Sequence, residues 1–155
     1  MRPYRDIATL AGAQILCFIA LTHFEPGFFL LHLYQSILYI AILVMLFYME
    51  DRWAYMIGML ASVVWLGIAY VTGMLESSAR QIAFRSAGST PTAVGWLTLL
   101  TALIAILMVA LCARHWQKEY SGLGKTRNTF AISMGIVAVY YGILIFWFWN
   151  MIPRA

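Results

Sequence analysis

The stretch THFEPGFFLLHLYQSILYI, Thr22 to Ile40, decides whether the first third of the chain is one helix or two. From Ile7 to Met49 the only Asp, Glu, Lys or Arg is Glu25, followed by Pro26 and Gly27. One helix over those 43 residues would be about 64 Å long. That is twice the ~30 Å of a bilayer core. Proline breaks a helix interior and glycine favours turns. Glu25 to Gly27 therefore predicts a tight antiparallel hairpin joining two membrane spans, Ile7 to Phe24 and Phe28 to Met49.

The same stretch carries His32, Gln35, Ser36 and Tyr39 inside an otherwise apolar run. Their spacing, i, i+3, i+4 and i+7, puts all of them on one helix face. Polar groups turned toward lipid are costly, so this face is expected to look at protein, water or a ligand. Two readings follow. The face hydrogen-bonds neighbouring helices, through partners such as Gln14 or Ser62, or it is a polar wall for a quinone, pigment, haem or lipid headgroup. The residues require no cofactor; a lipid or quinone is what their chemistry would suit.

Composition sets the class. Of 155 residues 63% are hydrophobic and 10% charged, with a mean hydropathy of +0.82. Soluble domains are about 45–50% apolar and about 25% charged. The chain is expected to be an integral membrane protein. Its net charge of +4 does not point to nucleic acid, because the basic residues lie between or beside apolar runs, where they set topology and meet headgroups.

Three more spans complete an all-α, five-helix bundle in one domain, residues 1–155: Trp53 to Met74, Val94 to Ala113 and Thr129 to Met151. MEDRW, Met49 to Trp53, has three consecutive charges and is read as a surface turn. Arg2 and Arg5 before the first span resemble a signal peptide. Asp6 and Gln14 interrupt that pattern and no small-x-small cleavage site follows, so the span is expected to stay. With the N-terminus inside, Arg2, Arg5, Arg52, Arg114, Lys118, Lys125 and Arg127 share one side, against Arg80, Arg85 and Arg154. The positive-inside rule then puts the N-terminus in the cytoplasm and the C-terminus outside, as in a bacterial-type inner membrane.

The outer connection, Leu75 to Ala93, is too polar to span. Ser78 and Gln81 have capping-box spacing, and Leu75, Ala79, Ile82 and Ala83 form a narrow apolar stripe, so a short interfacial helix is expected, with Thr90-Pro91 starting the next span. The inner connection, Arg114 to Asn128, reads as a headgroup-anchored loop or a patch for a soluble partner. Small residues at helical spacing, Ala8 with Gly12, Gly58 with Ser62 and Ala69, and Ala131 with Gly135, Ala138 and Gly142, are expected at helix interfaces. Trp65 alone among the tryptophans lies mid-span, where core packing is the expectation.

The chain offers little chemistry. No Asp, Glu, Lys or Arg lies inside a span away from its ends, which argues against an ion or proton relay. His23, His32 and His115 sit at different depths, unsuited to a haem clamp, and His23, Glu25 and His32 form a weak metal set. Cys17 and Cys112 read as small packing residues, and no serine or cysteine has a base beside it. No catalytic or metal residues are expected. The function expected first is a non-catalytic accessory subunit of a larger membrane complex, of the energy-transducing kind by analogy, with other membrane subunits and lipids as partners. The alternatives are a small oligomeric transporter or channel, and a membrane module binding a quinone, pigment, haem or lipid.

Overall fold

The computed structural model describes residues 5–48, 50–83, 93–120 and 126–148. Helix α1, Arg5–Phe24, leads through Glu25 and one 3₁₀ turn, Pro26–Phe28, into α2, Phe29–Phe47. Then come α3, Asp51–Val71, a short α4, Met74–Ala83, and the long α5, Ala93–Tyr120, and α6, Thr126–Phe148. Among the described residues there is no strand, and five helices are long and apolar enough to cross a membrane.

The turn at Glu25 follows from its sequence. The Glu25 N–H still donates to Leu21 O, Pro26 occupies the first position of the 3₁₀ turn, and Phe28 N–H closes it on Glu25 O. Proline has no N–H to lose at that position and its fixed φ suits the start of the turn. Helix α2 then packs along α1.

Several boundaries differ from the sequence reading. Asp51, Arg52 and Trp53 form the first turn of α3, and only Tyr48 and Glu50, with residue 49 outside the described set, separate it from α2. An acidic residue is favourable at a helix N-terminus, which explains why Asp51 starts the helix. At its other end α3 stops at Val71, three residues early: the Thr72 hydroxyl bonds Ile68 O at 2.8 Å and Gly73 turns to φ 72°, a conformation glycine adopts without strain. Helix α5 runs seven residues past Ala113, because Arg, Gln, Lys and Glu are good helix formers. Most of the expected inner loop is therefore helix.

Helix α4 starts at Met74, so Ser78 is not its cap. Ser78 is buried, Leu75 and Ile82 are half-buried on the same face, and Ala79 and Ala83 are exposed. Glu76 and Arg80 pair across one turn of its exposed side. The face packs on α5 and touches α3. Thr90 and Pro91 lie outside the described residues.

Helices α1, α2, α3 and α5 close a ring, each packing on its two neighbours. Helix α3 also carries α6 on its outer side. Inside the ring lie Ala11, Phe18, Tyr39, Ile42, Ala61, Trp65, Ala105 and Met108. Trp65 is 3% exposed and meets the Phe18 ring edge-on at 6.1 Å, a favourable aromatic arrangement. Gly58 lets α3 and α5 come close: a Cβ there would stand 3.2 Å from Cys112 Sγ.

Helix α6 is held differently. Tyr34 and Tyr140 stack at 4.4 Å and each hydroxyl donates to the other's backbone carbonyl, while the Tyr141 hydroxyl donates to Ala61 O at 3.2 Å. These bonds use the side of α6 that faces α2 and α3. The expected packing stripe of α6 is on the other side: Ala131, Gly135, Ala138 and Gly142 are all exposed.

Candidate functional site

The polar face of α2 is buried along its length: His32 is 3% exposed and Tyr39 fully covered, with Gln35 and Ser36 between them. The ring of helices turns this face inward because the opposite face, with Leu33, Ile37, Ile40 and Val44, is apolar and exposed. The four residues do not converge on one point, since His32, the neighbours Gln35 and Ser36, and Tyr39 sit on three successive turns.

Each has its own surroundings. His32 Nε2 lies 3.1 Å from Glu25 Oε2 at the hairpin, with the Phe28 ring edge against the imidazole. Its Nδ1 is buried and has no partner. The Ser36 hydroxyl turns back to Leu33 O at 2.7 Å on its own helix. Tyr39 shares a hydrogen bond with Ser62 of α3 at 3.4 Å and packs on Phe18. Ser62 is thus one of the two partners expected for this face. Gln14, the other, is fully buried in α1 but makes no such bond; both its amide atoms are without a partner.

The remaining sequence candidates separate. His23 is exposed at the end of α1 beside Phe24, so it does not join Glu25 and His32. Among the described residues no group of three or more His, Cys, Asp or Glu is placed to hold a metal ion. Cys17 and Cys112 are free and buried.

A second polar cluster, at the opposite end of the bundle, is absent from the sequence reading. The extension of α5 brings His115 Nε2 to 3.0 Å from Asp6 Oδ2 of α1 and His115 Nδ1 to 3.8 Å from Glu119 Oε1. The His115 ring lies 5.5 Å from that of Tyr55 on α3. Asp6 and His115 are 109 positions apart, so no local spacing announces the pair. The i, i+4 spacing of His115 with Glu119 and of Asp51 with Tyr55 was the only available signal.

On the outside, two apolar grooves face away from the ring. One of about 430 Å³ runs along α6 and is lined by Gly135, Ile136, Val139, Tyr140 and Ile143. The other, about 500 Å³, lies where α1 meets the end of α2, beside Ala8, Leu43 and Phe47.

The chain matches no protein-family model, and comparison with curated proteins and with solved structures finds no match in either.

Proposed function

We propose that this protein is a non-catalytic subunit of a larger membrane assembly, joined to a neighbouring subunit through the outer face of α6. One observation carries the reading: the small-residue stripe of α6 is exposed while that of α3 is buried. In a bilayer there is little hydrophobic gain from pairing helices, so association depends on close backbone approach at small residues. On α3 such residues, Gly58, Ser62 and Ala69, are used inside the bundle. On α6 nothing lies within 4 Å of a Cβ built at Gly135 or Gly142, and the stripe borders an apolar groove of about 430 Å³. The occupant that fits is a transmembrane helix with a small-residue face of its own. In this reading the basic end of the bundle faces the cytoplasm of a bacterial-type inner membrane, and α4 lies along the opposite interface. The assembly is of the energy-transducing kind only by analogy with other small multispan subunits.

Extraction in mild detergent tests this. The chain is expected to migrate in a heteromeric complex, and Gly135→Leu with Gly142→Leu to release it as a folded monomer. Migration of the unaltered chain as a lone monomer would contradict the reading. A complex made only of copies of this chain would favour the small transporter or channel instead.

A second reading has its own observation, the unpartnered Nδ1 of the buried His32. When Nε2 donates its proton to Glu25, Nδ1 is left an acceptor, and the group that complements it is a hydroxyl, as on a quinol or a lipid. Organic extraction of gently purified protein should then yield about one such molecule per chain, lost in His32→Leu. An empty extract would set this reading aside.

A further inference from the structure

The polar cluster at the basic end of the bundle is over-supplied with acceptors. Three helices build it: α1 contributes Asp6, α3 contributes Asp51 and Tyr55 one turn apart, and α5 contributes His115 and Glu119 one turn apart. His115 links Asp6 and Glu119, its ring lies 5.5 Å from that of Tyr55, and Asp51 stands one turn before Tyr55 on α3. Tyr55 itself is fully buried and its hydroxyl has no partner; Asp51 Oδ1 is likewise buried and unpartnered. Groups left this way in a protein interior call for something that completes their hydrogen bonds.

The missing component is cationic. Among the described residues the only ion-pair partner of these carboxylates is His115, to Asp6 and, at longer range, to Glu119. Arg52 lies over the Trp53 ring at 5.0 Å and acts on Tyr120 but forms no ion pair with these carboxylates, and Arg5, Arg114 and Lys118 are exposed. Exposure falls across the cluster, from Asp6, 43% exposed, and Glu119, 31%, through His115, 12%, to Tyr55, which is covered. Aromatic rings wall it, Tyr120 at 6.2 Å from Tyr55 and Trp116 at 5.2 Å from Tyr120. Carboxylates beside aromatic faces are the chemistry that holds an ammonium group. An –NH₃⁺ brings three N–H donors, enough for Asp51 Oδ1, the Tyr55 oxygen and Glu119.

We infer that this cluster is a binding site for the primary ammonium of phosphatidylethanolamine. The lipid source is favoured by depth: the cluster lies at helix ends where Trp53, Trp116 and Tyr120 form an aromatic belt, the level of the headgroups. A trimethylammonium headgroup has no N–H to give, and a glycerol headgroup has no cation, so the site distinguishes phosphatidylethanolamine from phosphatidylcholine and phosphatidylglycerol. The site is remote from the outer face of α6 and does not depend on the subunit reading.

Native mass spectrometry of the full chain released from micelles holding equal amounts of the three lipids reads this directly. The expected result is about tenfold more phosphatidylethanolamine than phosphatidylcholine retained, the scale of one charge-assisted hydrogen bond. Asp51→Asn should bring the ratio near parity. Tyr55→Phe should lower it about threefold, and because it keeps the ring that fills the core, the comparison survives if Asp51→Asn fails to fold. Glu76→Gln, on the exposed side of α4, should leave the ratio unchanged. Equal retention of the lipids by the unaltered chain overturns the proposal, whether water or a neighbouring subunit's lysine fills the cluster. So does a preference that persists in both Asp51→Asn and Tyr55→Phe.

Discussion

Helices α3 and α6 are alike in length and apolarity, yet 56% of the most apolar stretch of α3 is buried and only 28% of that of α6. Helix α3 is surrounded, packing on α2, α5 and α6 and touching α4, whereas α6 leans mainly on α3. Both carry small residues at helical spacing. In α3 Gly58 is spent on a close internal crossing; in α6 Gly135 and Gly142 meet nothing. The difference teaches that a small-residue stripe marks a helix interface without saying whose, and that the protein's own fold uses one stripe and leaves the other available.

The sharpest way to break that contrast is Gly58→Leu. The added side chain must displace Cys112 Sγ, 3.2 Å from the first new atom, and the neighbours Ile42 and Met108. Overpacking of this kind costs about 1–3 kcal/mol, and the loss is expected at the upper end when unfolding is followed in detergent by circular dichroism. An unchanged unfolding midpoint would mean that α3 and α5 are not packed at this crossing.

Gln14→Leu probes the ring's interior and is expected to act in the opposite direction. An amide buried without partners costs roughly 1–3 kcal/mol by mutational measures, so a leucine of similar size should stabilise the chain by about 1 kcal/mol or more. A loss of stability instead would reveal a water or ligand bonded to Gln14.

Smaller effects come from the bonds between helices. Tyr39→Phe removes the link to Ser62 and Tyr141→Phe the link from α6 to Ala61 O. Each should cost about 0.6–1.7 kcal/mol, the range for hydrogen bonds between membrane helices, measured by the same unfolding assay. The Tyr141 change should also loosen α6, seen as faster proteolysis of the segment that follows α5. Equal proteolysis in both variants would show that α6 is held by its stacked tyrosines alone.

The smallest effect is expected from Gly135→Leu in the isolated chain, less than about 0.5 kcal/mol, since surface substitutions away from special features rarely exceed that. Gly58→Leu and Gly135→Leu thus make the same chemical change, one with a large loss of stability and the other with almost none. If both destabilise the purified monomer alike, α6 packs inside the bundle and the comparison fails.

Much of this fold was legible because a bilayer constrains a chain so tightly. The length of a crossing and the cost of an unpaired charge in hydrocarbon are enough to divide the sequence at Glu25–Gly27 and around Met49–Trp53. The hairpin turn falls where proline and glycine demand it. What periodicity cannot supply is the partner of a face. Ala131, Gly135, Ala138 and Gly142 share one side of α6 in the sequence, but only the three-dimensional arrangement shows that side to be exposed. The polar face of α2 was equally readable, and so was Ser62 as a partner; the failure of Gln14 to join it depends on side-chain directions that spacing does not encode. The cluster of Asp6, Tyr55 and His115 was missed for another reason. It exists because α5 continues to Tyr120, past the expected end of the span at Ala113, and charged residues there look the same in sequence whether they are loop or helix.

The most direct measurement places a photo-crosslinking amino acid at position 139, in the α6 groove, and a second at position 107, on the exposed side of α5, in chains kept in their native membrane. Val139 and Leu107 are both exposed large apolar residues, so the two sites differ in the groove rather than in exposure. The account predicts a discrete adduct between position 139 and one other membrane protein, weakened by Gly135→Leu, and mainly lipid adducts from position 107. Lipid adducts alone from both positions would contradict it.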